Sequence, residues 1–142
     1  MRLLAYIDGA SRGNPGDSGI GIILKDESGN TILRHYEYVG KVTNNIAEYL
    51  ALIVCIEKAS QLKFRELIVH SDSELLVKQM NRKYKVRDRK LQRYFIRIFN
   101  ALQRSKMKFT IKYIPRSLNM EADKLANKGI QRRGSSRYTS VS

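Results

Sequence analysis

The sequence has little cysteine, little histidine and no long apolar run, and each shortage closes off a class of protein. A single cysteine, Cys55, excludes an intramolecular disulfide and any cysteine-based metal cluster. It falls in a helical apolar pattern and reads as a buried, unreactive thiol. The two histidines, His35 and His70, stand inside strand-like segments with no His/Cys cluster to draw a soft metal. No apolar run approaches the ~20 residues of a membrane span, and the N-terminus lacks a signal-peptide core with a small-residue cleavage site. A cytosolic protein with no membrane partner is the expectation. There is no internal repeat and no domain linker. With 142 residues, one domain with a core of its own is expected.

Acids are scarce in one region in particular. The formal net charge is +14. Between Arg82 and Arg116 stand 13 Lys and Arg against one acid, Asp88, a net of +12. Gln131 to Ser142 adds three arginines, which leaves the rest of the chain at −1. A near-neutral body with one basic block is the electrostatic footprint of a nucleic-acid binder. A solvated helix face kept soluble by Lys and Arg would interleave acids, and this block barely does.

What is present reads as β-β-β-α-β-α-α-β-α. Strands are expected over Leu3 to Asp8, Gly19 to Lys25 and Thr31 to Val39, the last rich in aromatic and β-branched residues. Asp26 to Asn30 is turn chemistry, whereas a loop of small residues and glycines follows Asp8. Ile46, Ala47, Leu50, Ala51, Ile53 and Val54 recur at helical spacing, so a helix is expected from Asn45 to about Ser60, with Thr43, Asn44 and Asn45 as capping residues. Leu67 to Ser71 reads as a fourth strand and Ser73 to Met80 as a short helix. Leu91 to Ser105 reads as a helix whose apolar stripe is Leu91, Phe95, Ile98, Phe99 and Leu102. Phe109 to Ile114 reads as the fifth strand, stopped by Pro115. A last helix spans Asn119 to about Gln131. Residues 132–142, rich in Gly, Ser and Arg, read as a flexible basic tail on a domain of residues 1–131.

This pattern implies an α/β fold, a mixed sheet with helices packed on it. Right-handed helical crossovers make strands three and four, and four and five, parallel. Strands one, three and four then point the same way. Asp8 stands at the carboxyl end of strand one, and Asp72 just beyond strand four. Glu48 opens the helix after strand three, and Asp123 the helix after strand five. All four acids therefore gather at the carboxyl edge of the sheet, where open sheets bind ligands.

Each acid also has a plain structural use. Asn45 and Glu48 fit a capping box, as do Ser71 and Glu74; Asp72 fits an N-cap, and Glu121 and Asp123 complement a helix dipole. Four independent caps have no reason to meet at one edge beside a basic block. Bare carboxylates so close would repel each other and take up protons. Mg²⁺ relieves that repulsion, prefers oxygen ligands and accepts phosphate oxygens, and paired ions catalyse in-line displacement at phosphorus.

Four segments carry a resemblance: DGASRGNPG around Asp8, TNNIAEYLAL around Glu48, HSDSELLVKQM around Asp72 and PRSLNMEADKLAN around Asp123. They resemble, in order and spacing, the motif blocks of type 1 ribonuclease H, from about residue 3 to residue 130. The resemblance implies a ribonuclease H-like fold, a five-stranded mixed sheet of order 3-2-1-4-5 flanked by helices. It implies an endonuclease that cleaves the RNA strand of RNA/DNA hybrids, leaving 3′-hydroxyl and 5′-phosphate ends. Asp8, Glu48, Asp72 and Asp123 would be its catalytic residues and would hold two Mg²⁺ ions, with Mn²⁺ as the other candidate. Asp8 would bridge both ions, Asp123 would help hold the water-activating one, and Glu48 and Asp72 the one at the leaving oxygen.

The resemblance also assigns substrate contacts. Distinguishing RNA from DNA means reaching the 2′-hydroxyl. The small residues Gly9, Ala10, Ser11, Gly13 and Gly16 let backbone groups approach a minor groove, with Arg12 a further substrate-contact candidate in the same loop, and Asn14, Asn44 and Glu48 match positions near the RNA 2′-hydroxyls. Thr43 and Asn45 match positions near the nucleic-acid backbone. In the basic segment itself, Arg82, Lys83, Lys85, Arg87, Arg89 and Lys90, with Tyr84 among them, read as a grip on DNA-strand phosphates that does not read sequence. Arg116 and Asn119 stand in the loop before the last helix, where many relatives have a histidine; this loop is shorter and has none, and Arg116 is the candidate replacement. Glu74 stands where many relatives carry Gln, and the basic insertion of some bacterial relatives is reduced to residues 81–90. A compact monomer without a separate hybrid-binding domain is expected. The alternatives are a non-catalytic hybrid-binding module of the same fold, and a resolvase or integrase-like nuclease.

Overall fold

A computed structural model describes residues 1–135. In chain order the elements are β1 (Arg2–Gly13), β2 (Gly16–Lys25), β3 (Thr31–Val42), α1 (Asn44–Ser60), β4 (Glu66–Ser71), α2 (Glu74–Met80), α3 (Arg89–Ser105), β5 (Lys108–Tyr113) and α4 (Met120–Arg132). A single 3₁₀ turn, Arg116–Leu118, precedes α4 and was not anticipated from sequence. The strand order is β3-β2-β1-β4-β5, with β1 antiparallel to β2, β2 to β3, and β1, β4 and β5 mutually parallel. The strand directions are those expected from the crossovers, and the order is the one the family resemblance implies.

The core lies between the sheet and α1. Leu3, Ala5 and Ile7 of β1, Ile20, Ile22 and Leu24 of β2, and Leu67 and Val69 of β4 meet Tyr49, Leu52, Cys55 and Ile56 of α1, all fully buried or nearly so. Period-2 alternation in the strands and a 3.6 period in α1 bring these side chains to one layer. Burial alone pushes the Cys55 thiol up to about 12, so it is inert as expected. His70 is a sheet residue too: it stacks on Tyr6 with ring centroids 4.5 Å apart, and its Nδ1 lies 2.9 Å from the Ala5 carbonyl oxygen.

α4 packs on the other face, and glycine makes that possible. A β-carbon on Gly21 would overlap the Ala122 carbonyl oxygen, and one on Gly19 the Ala126 carbonyl oxygen. The helix backbone therefore rests directly on β2.

Several expectations need correction. β1 does not end at Asp8 but continues to Gly13 as a hairpin with β2, because the backbone of residues 16–20 supplies ladder partners for residues 9–13. Strand propensity is low there, and pairing decides. Phe99 is 45 % exposed and does not join the core stripe of α3; Leu91 and Ile98 are buried, and Tyr94 and Phe95 partly so. The tail is not free throughout. Arg132 belongs to α4, Arg133 pairs with Asp17 at 2.8 Å, the Tyr38 N–H donates to the Gly134 carbonyl oxygen, and Ser135 bridges Glu37. The remainder, residues 136–142, lies outside the described residues.

Candidate active site

β4 accompanies β1 only as far as the pair Ile7 and Ser71. Asp8 is the next residue of β1, and Asp72 the next after β4. The end of the parallel pairing thus leaves two carboxylates side by side. Ser71 Oγ accepts from the Ser73 N–H at 3.0 Å, and Ser73 caps α2, which turns the chain sharply after Asp72.

Glu48 reaches the same place from α1. The N-cap of that helix is Thr43, whose hydroxyl accepts from the Ile46 N–H at 3.2 Å. Glu48 therefore lies further into the helix than a capping box requires. Its Oε1 instead accepts from the Gly9 N–H at 2.8 Å, buried. Gly9 is obligatory here, because a β-carbon would overlap the Ala47–Glu48 peptide. The second capping box is also absent: Glu74 bonds Lys78 at 2.7 Å.

Asp8, Glu48 and Asp72 each offer a carboxylate oxygen, and these atoms all lie within 4.8 Å of one another. Asp8 and Glu48 are both 5 % exposed. Burial pushes the Asp8 carboxyl far above the usual carboxylate range, and repulsion from Glu48, Asp72 and Asp123 and a hydrogen bond shared with Asp123 push it further. Burial likewise raises Glu48, with Asp72 and Asp123 adding to it, while the Gly9 N–H works in the opposite direction. Buried acids held against one another in this way are a ready cation site, and an all-oxygen donor set suits a hard divalent ion. Asp123, in the first turn of α4, lines the same cavity of about 420 Å³. It stands close enough to bond Asp8 but lies outside the tight group of three.

The other expected site residues separate into groups. Gly9, Ser11, Asn44 and Arg116 line the cavity with the acids. Ser11 Oγ donates to the Gly13 and Val42 carbonyl oxygens. Arg116 is an exposed cation 3.9 Å from Asp123 Oδ1. Asn14 accepts from the Asn44 N–H at 3.0 Å, which ties the hairpin tip to the start of α1; Arg12, Gly13 and Asn45 are exposed nearby. Thr43 faces a separate groove of about 640 Å³ with Lys41, Lys90, Arg93 and Arg97. Lys83, Tyr84, Lys85 and Arg87 are exposed on the segment after α2, with Tyr84 receiving a 3.2 Å bond from Lys78. Asn119 is not a surface contact: it is 2 % exposed, and its amide donates to the Ile7 carbonyl oxygen at 2.8 Å and to Asp72 Oδ2 at 3.3 Å. Ser73, Tyr113 and Asn127 line the cavity without having been anticipated. Asn127 was recoverable, since it follows Asp123 by one helical turn; Tyr113 carries no local sequence signal.

A sheet of order 3-2-1-4-5 with carboxylates at the carboxyl edge defines an RNase H-like domain. Residues 6–129 match the profile of a reverse transcriptase-like family. A ribonuclease HI of Halobacterium salinarum is 36% identical over 129 residues, 91% of this chain and 64% of that protein. The crystal structure of RNase H1 from that archaeon superposes with a TM-score of 0.89, covering 93% of this chain and 99% of that one. LC11-RNase H1, in a complex with an RNA/DNA hybrid, is 38% identical with a TM-score of 0.88, covering 92% and 98%. The bifunctional protein Rv2228c of Mycobacterium tuberculosis is 35% identical over 128 residues, 89% of this chain and 35% of that protein. The chain thus spans under two thirds of the length of these two curated relatives. It belongs to the type 1 ribonuclease H family. Among the described residues no helix is long and apolar enough to cross a membrane.

Proposed function

We propose that this protein is an endoribonuclease that hydrolyses the RNA strand of RNA/DNA hybrids, leaving 3′-hydroxyl and 5′-phosphate ends. The observation that carries the reading is the group of Asp8, Glu48 and Asp72, whose oxygens converge within 4.8 Å at the sheet edge of a type 1 ribonuclease H. The hybrid bound by LC11-RNase H1 supports the choice of substrate.

Asp8, Glu48, Asp72 and Asp123 would hold two divalent ions, Mg²⁺ or Mn²⁺. Such ions supply an activated water nucleophile, polarise the scissile phosphate and stabilise the leaving oxygen. The chain's own residues do the rest. Asp8 neighbours all three other acids and would be the ligand common to the set. The Gly9 N–H fixes the Glu48 carboxylate, and Asn119 fixes that of Asp72. Gly9, Ser11, Arg12, Gly13 and Asn14 form the surface that meets the minor groove, with Asn44 and Asn45 beside them. Asn14 and Asn44 are already joined, so the groups that would read the 2′-hydroxyl are preset. Lys83, Tyr84, Lys85 and Arg87 hold DNA-strand phosphates, and the cationic groove around Thr43 offers a second phosphate track. Arg116, at the mouth of the cavity, neutralises charge as product leaves. The same reading has the protein acting as a monomer in the cytoplasm.

The test uses labelled RNA/DNA hybrid, double-stranded DNA, double-stranded RNA and a four-way junction, each with Mg²⁺ or EDTA, with Asp8→Asn beside the wild type. Hybrid cleavage that needs Mg²⁺ and falls at least about 10³-fold in Asp8→Asn is the expected outcome. Hybrid cleavage that survives EDTA or Asp8→Asn contradicts the two-ion reading. Binding without cleavage identifies a non-catalytic hybrid-binding module.

A further inference from the structure

α4 packs with its backbone directly against the sheet. Gly19 and Gly21 bring β2 against its carbonyl oxygens, and Gly129 packs on the Glu37 backbone. The Asp123 backbone is therefore fixed, and only its side-chain torsions are left to be set.

Asn127, one turn along the helix, sets them. Its Nδ2 donates to the Asp123 carbonyl oxygen at 3.0 Å and to Asp123 Oδ1 at 3.3 Å. Its Oδ1 accepts from Arg12 Nη2 at 3.2 Å. Arg12 stands on β1, four residues beyond Asp8. A guanidinium has donors only, so it can face only the oxygen end of the amide. That choice turns the nitrogen end toward Asp123. The two Asp123 oxygens select the same orientation from the other end, since a flipped amide would set its oxygen against both; Arg12 adds a donor at the far end and anchors the amide from β1. Asn119, which precedes α4 as its N-cap residue, and Asp123 and Asn127 within the helix are spaced by four. The amides on either side of Asp123 thus hold Asp72 and Asp123 respectively.

We propose that Asn127 is a positioning residue for the Asp123 carboxylate, and that Arg12 anchors its amide in the orientation that meets that carboxylate. The inference rests on the proposed reading in which Asp123 helps hold a divalent ion. It adds a link from the β1 hairpin, where the substrate lies, to the fourth acid.

Three variants test it: Asn127→Ala, Arg12→Met and the double variant. Alanine suits a helix interior better than asparagine, so Asn127→Ala is expected to fold. The readouts are Mn²⁺ binding to the nucleic-acid-free protein by calorimetry, kcat and KM on an RNA/DNA hybrid, and the melting temperature. Asn127→Ala is expected to weaken Mn²⁺ binding and lower kcat by about tenfold, with KM within about twofold. Arg12→Met is expected to lower kcat less and to raise KM. The double variant is expected to have the kcat of Asn127→Ala alone, since Arg12 acts on kcat through Asn127.

A lower melting temperature with Mn²⁺ affinity and kcat intact would make Asn127 an ordinary helix-surface bond and overturn the proposal. Fully additive losses in the double variant would overturn the part assigned to Arg12. Mn²⁺ binding is read without substrate. Sensitivity to Asn127→Ala in a protein that cleaves no hybrid would therefore sink the enzymatic reading alone. Normal hybrid cleavage and Mn²⁺ binding by Asn127→Ala would sink this inference alone.

Discussion

The acidic edge and the basic segment after α2 differ in how much of their geometry the fold determines. The four carboxylates come from β1, the end of β4, α1 and α4, and they meet because the sheet order places those ends together. Asp8 and Glu48 are almost wholly buried, and each is held by named backbone or side-chain neighbours. The basic segment is one continuous stretch, exposed at every residue from 81 to 90 except Val86. Its cations point into water with few fixed partners. Metal coordination is directional and depends on where each oxygen sits. Attraction to phosphate is not, and it scales with the number of charges. Changes at the first region should therefore act nearly all-or-none, and changes at the second by degrees.

Among changes that leave every carboxylate and cation in place, the largest effect is expected at Gly21. Gly21→Ala forces a β-carbon into the Ala122 carbonyl oxygen and must lift the first turn of α4, which carries Asp123. A destabilisation of about 3 kcal/mol in denaturant melts is expected. Hybrid cleavage should fall at least about 100-fold at temperatures where the variant is still folded. Activity retained alongside an intact fold would mean that α4 can be displaced without consequence.

A smaller and graded effect is expected at the other region. Replacing Lys83, Lys85 and Arg87 together by Gln should raise KM about tenfold at physiological salt and leave kcat within about twofold. The slope of log affinity against log salt should become shallower by about two to three, roughly one unit for each phosphate that is no longer neutralised. An unchanged salt slope would remove these residues from the phosphate grip. The smallest effect is expected at Arg133, which pairs with Asp17 and lies over the Tyr38 ring in the solvent-facing layer. Arg133→Ala should lower the melting temperature by no more than about 3 °C and leave kcat alone. A larger fall would give the segment after α4 a structural weight that its exposure does not suggest.

Much of this arrangement was readable from residues alone, for identifiable reasons. The change from period 2 over Thr31 to Val39 to period 3.6 from Asn45 and the handedness of the crossovers place Asp8, Asp72, Glu48 and Asp123 at the carboxyl edge, and the strand order that the resemblance implies makes β1 and β4 neighbours; β3 itself runs three residues further, to Val42. Local chemistry at that edge was less legible. The Asn45 and Glu48 spacing fits a capping box, yet Thr43 takes the cap and frees Glu48 to accept from Gly9, a partner 39 positions away. Pairing across the hairpin extends β1 past Asp8 through residues with little strand propensity. Asn119 reads as a polar loop residue, but only the packed fold shows it enclosed between Ile7 and Asp72. Nothing local distinguishes Phe99 from Phe95; packing of α3 against the rest of the fold leaves one outside.

The pH dependence of stability with and without a divalent ion is the most direct test that the acidic edge is a metal site. Asp8 and Glu48 titrate higher in the folded protein than in the unfolded chain, so the folded state binds more protons above the ordinary carboxylate range of about 4. Stability without metal should therefore be greatest at low pH within the folded range. It should decline as pH rises from that range through the raised folded values. Melting curves in EDTA and in Mg²⁺ at about pH 6 and about pH 8.5, for the wild type and Asp8→Asn, measure this. The expected result is a lower melting temperature at the higher pH in EDTA and a larger Mg²⁺ rescue there than at the lower pH; Asp8→Asn should lose most of the rescue and the Asp8 share of the pH dependence, keeping the share that burial gives Glu48. Melting temperatures that are flat with pH in EDTA, together with a Mg²⁺ shift that Asp8→Asn leaves intact, would contradict it.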